Sequence, residues 1–329
     1  MRTALAALLS CALLSCTPGS STGAQATPGE DAAKDRLVIV ATVFAAYDFS
    51  RTIAGAVAEV RLLVPPGVES HSFEPSPADM MLLSSADVFL CAGGESDAWL
   101  DKVLASLDNP HLVVVKMMDL VEVLAEEDSQ GASPGFRSET PHANQAAHEQ
   151  EQEPEPDEHV WTSLRNAQLI VAYCAGLFSQ LNAEHAALYQ ANAKAYQDEL
   201  ARLDTRITTI VQSAQRTTVV FGDRFPCRYF TEDYGLTCYA AFSGCSTAVD
   251  TNPSTLVFLI DTVRAQDLPG VFYLELSSRS IARTIAEETG AEMLLFHSAH
   301  TISQADFDAG TTYLDLMRAN ADNLEVALN

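Results

Sequence analysis

Positive charge is scarce in this sequence. Of its 329 residues, 19 are lysine or arginine and 44 are aspartate or glutamate, which gives a formal net charge of −25. Phosphate backbones and anionic membrane surfaces repel a protein of this charge, so nucleic acid is not an expected partner. The apolar content of 47% is typical of a folded protein. The length predicts two domains or one large one.

Long apolar runs are confined to the N-terminus, and we expect no other segment to span a bilayer. Arg2 precedes an apolar stretch that ends in Leu13-Leu14-Ser15-Cys16. We interpret residues 1–15 as a lipoprotein signal peptide, Cys16 as the lipidated first residue of the mature chain, and residues 16–36 as its tether. Cys11 ends a second match with a shorter apolar region. A plain signal peptide or a buried helix is the alternative interpretation.

Cysteine pairs with the short spacing of a zinc knuckle are absent among Cys227, Cys238 and Cys245. Cys91 and Cys174 lie in apolar segments and are expected to be small buried residues. Cys227, Cys238 and Cys245 lie close together in a chain that we expect to be exported, so a disulfide among them is a hypothesis whose pairing stays open.

Short apolar runs predict an α/β fold. They recur at residues 37–43, 60–64, 88–92, 111–115, 218–221, 271–274 and 293–296, separated by segments with helical spacing. Strands that alternate with helices form mainly parallel sheets covered on both faces. We therefore predict a first lobe over residues 37–165 and a second lobe over residues 216–329.

A helical region is predicted between the lobes, over residues 166–215. Residues 185–212 keep helical apolar spacing without glycine or proline, which predicts a rod of about 40 Å. A second helix is predicted over residues 166–181, with a break at 182–184.

The segment 125–158 differs from the rest of the first lobe. It has ten acidic residues, one arginine, His142 and His148, and no apolar periodicity, so we predict a disordered, solvated loop. Its charge serves either solubility alone or the collection of cations near the protein.

Histidine and carboxylate residues follow several of the predicted strands. His71 lies in a proline-rich turn, His159 follows the acidic loop, and His297 and His300 follow the last strand. The carboxyl ends of strands are where ligand sites form in such sheets. Two or three histidines with one or two carboxylates suit Zn²⁺, whereas an oxygen-rich set favours Mn²⁺.

Two carboxylates are candidate ligands from the second lobe, Asp223 and Glu275. Each also has an ordinary structural explanation. Asp223 could cap the turn that follows it, and a buried Glu275 could pair with Arg279 or Arg283. Taken alone, His71 would more often be a surface or capping residue. His300 is expected to support the site or lie on the surface.

Five motifs in order resemble the zinc/manganese solute-binding lipoproteins of bacterial ABC importers, of the zinc-uptake type. They cover most of residues 37–329 and are Gly67-x3-His71-x-Phe73-Glu74-Pro75-Ser76-Pro77, Glu158-His159-Val160-Trp161, Tyr229-Phe230-x4-Gly235-Leu236, Ile285-Ala286-Glu287-Glu288-Thr289-Gly290-Ala291 and Thr312-Tyr313-Leu314-x2-Met317-x2-Asn320. The resemblance implies two α/β lobes joined by a long rigid helix, with a metal in the cleft between them and no reaction catalysed.

The resemblance also implies a set of metal ligands. It carries His71 and His159 over directly, and His297 falls where the family has a carboxylate ligand. At the family's third position, usually His or Glu, this chain has Gly222-Asp223. Asp223 is the first candidate there, with Glu275 and His300 behind it.

The resulting hypothesis is an extracytoplasmic, lipid-anchored and monomeric receptor that captures Zn²⁺ for the permease and ATPase subunits of an ABC importer. Mn²⁺ or iron is the rival cargo. A surface adhesin with the same fold is an alternative function. A zinc hydrolase is disfavoured because H-E-x-x-H and comparable motifs are absent.

Overall fold

A computed structural model describes residues 36–68, 73–125, 156–242 and 252–329. The predicted signal peptide, the tether, Cys16, His71, and His142 and His148 in the acidic loop lie outside these residues, as does Cys245. Residues 36–329 form one compact unit.

The first sheet is parallel and has the strand order β2-β1-β3-β4. Its strands are β1 (Leu37–Ala41), β2 (Ala58–Leu62), β3 (Val88–Cys91) and β4 (Val113–Lys116). Ile39 of β1 lies opposite Val60 on one side and Val88 on the other. β1 and β3 are almost entirely buried, as expected for apolar strands between two layers of helices.

The second sheet repeats this arrangement, with the parallel order β6-β5-β7-β8. Its strands are β5 (Thr218–Phe221), β6 (Thr237–Ala240), β7 (Gly270–Leu274) and β8 (Glu292–Phe296). The prediction of two parallel-sheet α/β lobes is therefore confirmed. The strand β6 was not predicted, because the residues of this half-exposed edge strand, Thr-Cys-Tyr-Ala, form no continuous apolar run.

Ten α-helices lie in the described parts of the chain. They are α1 (Phe44–Ala54), α2 (Pro77–Ser84), α3 (Leu100–Leu104), α4 (Leu164–Leu181), α5 (Ala186–Ser213), α6 (Arg228–Tyr234), α7 (Pro253–Ala265), α8 (Ser280–Thr289), α9 (Gln304–Asp308) and α10 (Tyr313–Leu328). The close packing of α8 on β5 requires glycine at position 222, because a Cβ there would lie 2.4 Å from the Ala282 Cα.

The long linking helix predicted from the sequence is α5. It has 28 residues, about 42 Å, and buries one stripe formed by Tyr189, Ala193, Tyr196, Leu200, Leu203, Ile207 and Ile210. This stripe packs against α1, α4 and α10. The helix therefore contacts elements from both ends of the chain, which favours a rigid connection between the lobes.

A buried carboxylate joins three of these helices. Asp48 of α1 is 0% exposed and accepts hydrogen bonds from Arg51 Nε at 2.7 Å, from the Tyr196 hydroxyl of α5 at 3.1 Å and from the Tyr313 backbone N–H of α10 at 2.9 Å. Burial raises the pKa of Asp48 despite the neighbouring Arg51 guanidinium. These bonds fix the start of α10 against α1 and α5.

None of the described helices combines the length and apolar character needed to cross a membrane. Cys91 and Cys174 are buried, as expected, and burial raises the pKa of both thiols. Cys227 is a buried free thiol, and since Cys245 lies outside the described residues, the disulfide stays a hypothesis.

Candidate metal centre

His159 lies in a short segment that hydrogen bonds from both lobes hold in place. The Asp157 backbone N–H donates to the Leu124 carbonyl at 2.9 Å, and the Tyr229 hydroxyl donates to the Asp157 carbonyl at 2.7 Å. A single 3₁₀ turn, Val160–Thr162, follows His159 and leads into α4. The segment is thus fixed on both sides of the imidazole.

Asp157 orients the His159 ring. Its Oδ1 accepts the His159 backbone N–H at 2.8 Å and lies 3.1 Å from the ring Nδ1, and both residues are 1% exposed. A carboxylate at Nδ1 favours the tautomer that leaves Nε2 as the metal-binding nitrogen. His159 therefore has the support that metal-binding histidines usually have.

Glu158 is also 1% exposed, and its carboxylate is oriented by the loop after β3. Its Oε2 accepts the Ser96 backbone N–H at 2.9 Å and the Ser96 hydroxyl at 3.0 Å. Gly94 passes so close that a Cβ there would lie 2.4 Å from both the Glu158 Cβ and Oε2. The absence of a side chain at position 94 leaves room for this carboxylate.

His300 comes from the second lobe, but its segment is bonded to the first. The Phe44 and Ala45 backbone N–H groups at the start of α1 donate to the His300 and Ala299 carbonyls, at 2.9 and 3.1 Å. The Gly67 N–H donates to the Ile302 carbonyl at 2.8 Å. These bonds satisfy otherwise unpaired N–H groups of α1 and fix the backbone on both sides of His300.

Trp161 packs against both imidazoles. Its ring centroid lies 5.6 Å from that of His159 and 5.2 Å from that of His300, and the two imidazole centroids are 5.4 Å apart. The indole Nε1 donates to the Ser298 carbonyl at 2.9 Å, and the Tyr313 hydroxyl donates to the Trp161 carbonyl at 2.6 Å. The rings are therefore locked in place by neighbours from both lobes.

Glu158, His159 and His300 together form a cluster suited to a metal ion. One ligand atom from each lies within 4.8 Å of the others, and among the described residues no other group of three or more such side chains meets this distance. Two imidazole nitrogens and a carboxylate oxygen are donors that Zn²⁺ binds well.

Asp223 and Glu275 line the same cavity as His159 and His300. Asp223 is 8% exposed, and its two oxygens accept backbone N–H groups of Arg224 at 2.9 Å and Leu274 at 3.2 Å. Glu275 accepts the Ser298 backbone N–H at 2.9 Å. Burial raises the pKa of Glu275, and the neighbouring Asp223 charge raises it further. Both carboxylates are thus anchored within the second lobe.

His297 is placed differently from His300. Its backbone N–H and carbonyl both bond the Asn320 side chain, at 2.7 and 2.8 Å, and it does not line the cavity that His159 and His300 share. Burial lowers the pKa of its imidazole. The structure therefore brings together His159 and His300 but not His297, and His300 is buried rather than on the surface.

The sequence analysis noted Glu158 in its motif but did not include it among the candidate ligands. Nothing in the sequence distinguished Glu158 from Asp157, because the Ser96 contact that orients Glu158 comes from a distant loop.

Comparisons with known proteins agree with this architecture. A family model described as "Zinc-uptake complex component A periplasmic" (ZnuA) matches residues 39–327. The chain is 27% identical over 330 residues to the high-affinity zinc uptake system protein ZnuA of Bacillus subtilis, which covers 98% of this chain and 96% of that protein. It is 26% identical over 295 residues to the zinc-binding lipoprotein AdcA of Streptococcus pneumoniae, covering 89% of this chain but only 56% of that protein, so it spans about half the length of this relative.

Solved structures give the same result. The Zn(II)-bound ZnuA-like domain of Streptococcus pneumoniae AdcA superposes with a TM-score of 0.70 at 25% identity, covering 89% of this chain and 99% of that one. A Mn-bound periplasmic metal-binding protein of Candidatus Liberibacter asiaticus shares the fold, with a TM-score of 0.70 at 22% identity and coverage of 89% and 100%. The resemblance drawn from the five motifs is confirmed, and the chain belongs to the ZnuA family of periplasmic zinc-uptake components.

Proposed function

We propose that this protein is an extracytoplasmic receptor that binds Zn²⁺ and delivers it to the permease of an ABC importer. The observation that carries the proposal is the buried cluster in which His159 and His300 face each other beside Glu158. Relatives named as zinc-binding or zinc-uptake proteins support zinc as the cargo.

The imidazoles of His159 and His300 are the proposed nitrogen ligands. His159 is held by Asp157, and His300 is held through the backbone at the start of α1, so both rings are positioned before metal arrives. His71, which the motif resemblance also assigns, lies outside the described residues. Pre-positioned ligands lower the entropy lost on binding and so favour tight capture at low metal concentration.

Capture and release, without chemical transformation, is the proposed activity. The relatives are named as components of zinc uptake. We propose that lipidation of Cys16 holds the chain at the outer face of the cell membrane as a monomer. There it would meet the permease and ATPase subunits of its importer.

The test is a metal-binding measurement on the purified chain. After metal is stripped, the bound-metal stoichiometry and the competition between Zn²⁺ and Mn²⁺ are measured for the wild type, His300→Ala and His111→Ala. His111 is exposed and lies just before β4, so its variant is a matched control for the loss of one histidine.

One tightly bound Zn²⁺ per chain, lost or greatly weakened in His300→Ala and unchanged in His111→Ala, would support the proposal. If Mn²⁺ outcompetes Zn²⁺, the cargo assignment is wrong. Absence of any tight site in the wild type would overturn the receptor function itself.

A further inference from the structure

Two adjacent side chains of the first lobe reach the same point. Glu158 and His159 are consecutive, both are 1% exposed, and each has a ligand atom within 4.8 Å of the other and of His300. Neighbouring residues in a helix or strand point in different directions. Here the backbone of His159 is neither helical nor extended, with φ −81° and ψ 43°, and this local turn allows both side chains to converge.

The turn is stabilised independently of any metal. The Val160 N–H donates to the Glu158 carbonyl at 2.9 Å, and the Thr162 hydroxyl donates to the His159 carbonyl at 2.8 Å. Asp157 holds the backbone N–H of His159. The convergence of the two side chains is therefore a property of the folded first lobe.

The Glu158 carboxylate is oriented as a ligand would need to be. Ser96 donates two hydrogen bonds to Oε2, and Gly94 lies against the same oxygen. Two donors to one carboxylate oxygen fix the rotation of the carboxylate. A carboxylate can accept about four hydrogen bonds or metal contacts, so two bonds from Ser96 are compatible with a metal contact.

We propose that Glu158 is a direct carboxylate ligand of the bound metal and makes a three-ligand site with His159 and His300. This inference rests on the proposed receptor function and deepens it. The Phe44 N–H bonds the His300 carbonyl and the Gly67 N–H bonds the Ile302 carbonyl, so the first lobe also contacts the segment that carries His300. The metal is then held by Glu158 and His159 of the first lobe and His300 of the second, and Asp223 and Glu275 contribute less to affinity.

Distance distinguishes Glu158 from these two carboxylates. Asp223 and Glu275 line the cavity but are not part of the 4.8 Å cluster. Asp223 accepts hydrogen bonds from the backbone N–H groups of Arg224 and Leu274. Glu275 accepts the backbone N–H of Ser298, so each carboxylate stabilises loops of its own lobe. Their contacts account for their burial without a metal.

The experiment compares Glu158→Gln with Asp97→Asn. Gln keeps the size of Glu158 and an oxygen that can accept the hydrogen bonds donated by Ser96. It removes the negative charge and is a poorer metal ligand. Asp97 is a second buried carboxyl group of the first lobe, 6% exposed, close enough to interact electrostatically with Glu158 but outside the metal cluster. Its variant removes one nearby negative charge and no ligand.

Three readouts are measured on the purified full-length variants: Zn²⁺ affinity by chelator competition, Mn²⁺ affinity by the same method, and the visible spectrum of the Co²⁺-substituted protein. Glu158→Gln is expected to weaken Zn²⁺ binding by about 100-fold or more, since changes to groups that only support a ligand cost about 10–100-fold. Mn²⁺ binding should weaken further still, because Mn²⁺ prefers oxygen ligands. The Co²⁺ spectrum should change in Glu158→Gln only.

Equal affinities in Glu158→Gln and the wild type would overturn the inference while leaving the receptor function intact. Equal losses in Glu158→Gln and Asp97→Asn, with the Co²⁺ spectrum of the wild type in both, would also overturn it, since the effect would then be one of charge alone. A wild type that binds no metal tightly would instead refute the proposed function.

Discussion

Replacing Asp157 with alanine tests how the first lobe prepares His159 for metal. Asp157 Oδ1 accepts the His159 backbone N–H and contacts the ring Nδ1, at 2.8 and 3.1 Å, in a site that is 1% exposed. In Asp157→Ala the imidazole is free to rotate, and its preferred tautomer is no longer fixed. The nitrogen that faces the metal then has to be ordered when the metal binds.

The size of the effect follows from these contacts. Loss of the group that orients a metal-binding histidine costs about 10–100-fold in affinity, which is about 1.4–2.8 kcal/mol at 1.4 kcal/mol per tenfold. The buried His159 N–H also loses its acceptor, so the metal-free protein should unfold more easily by about 1–3 kcal/mol. Asp157→Asn keeps an oxygen acceptor and should lose less of both.

The assay is a double-mutant cycle on Zn²⁺ affinity, measured by chelator competition, with urea unfolding of the metal-free proteins alongside. Asp157→Ala should weaken Zn²⁺ binding in the wild type and have almost no further effect in His159→Ala, because Asp157 affects affinity only by orienting the His159 imidazole. If Asp157→Ala weakens binding equally in both backgrounds, or in neither, Asp157 does not act by orienting His159.

Three further outcomes are expected. Gly94→Ala should displace Glu158 and weaken Zn²⁺ binding by about tenfold or more in chelator competition, whereas Gly176→Ala, where a Cβ meets nothing within 4 Å, should bind as the wild type does. Burial, together with the Glu158 charge, raises the pKa of Asp97 to about 6. As the pH rises from about 4 to about 6, the free energy of unfolding of the metal-free wild type should therefore fall by about 3 kcal/mol relative to that of Asp97→Asn. If urea unfolding gives the same difference between the two proteins across this pH range, that pKa is wrong. Asp48→Ala should lower the free energy of unfolding by about 3–5 kcal/mol, because it leaves two buried donors and the partly exposed Arg51 without their acceptor, and a loss below about 1 kcal/mol would contradict the role given to this carboxylate.

Most of the fold was predictable because its signals are local. The linking helix was predicted over residues 185–212 and is found at Ala186–Ser213, and the helix before it was predicted over 166–181 and is found at Leu164–Leu181. Apolar spacing alone defines such helices, since one stripe must face the core. The strand β6 was missed because a half-exposed edge strand lacks the continuous apolar run of a central one.

The metal centre was less predictable because it depends on contacts distant in sequence. His297 and His300 both follow β8, and the sequence offers no reason to prefer the later one. Bonds from α1 to the carbonyls of Ala299 and His300, more than 250 residues away in the chain, hold the segment whose His300 ring lies beside His159. The part played by Glu158 likewise depends on Ser96, which belongs to another loop.

The most direct test of the account is to locate the metal in a crystal of the Zn²⁺-loaded protein by anomalous diffraction at the zinc absorption edge. We expect one zinc peak between the His159 and His300 rings, with each imidazole nitrogen about 2.0–2.1 Å from the metal. A zinc peak elsewhere in the molecule, or one that touches neither imidazole, would contradict it.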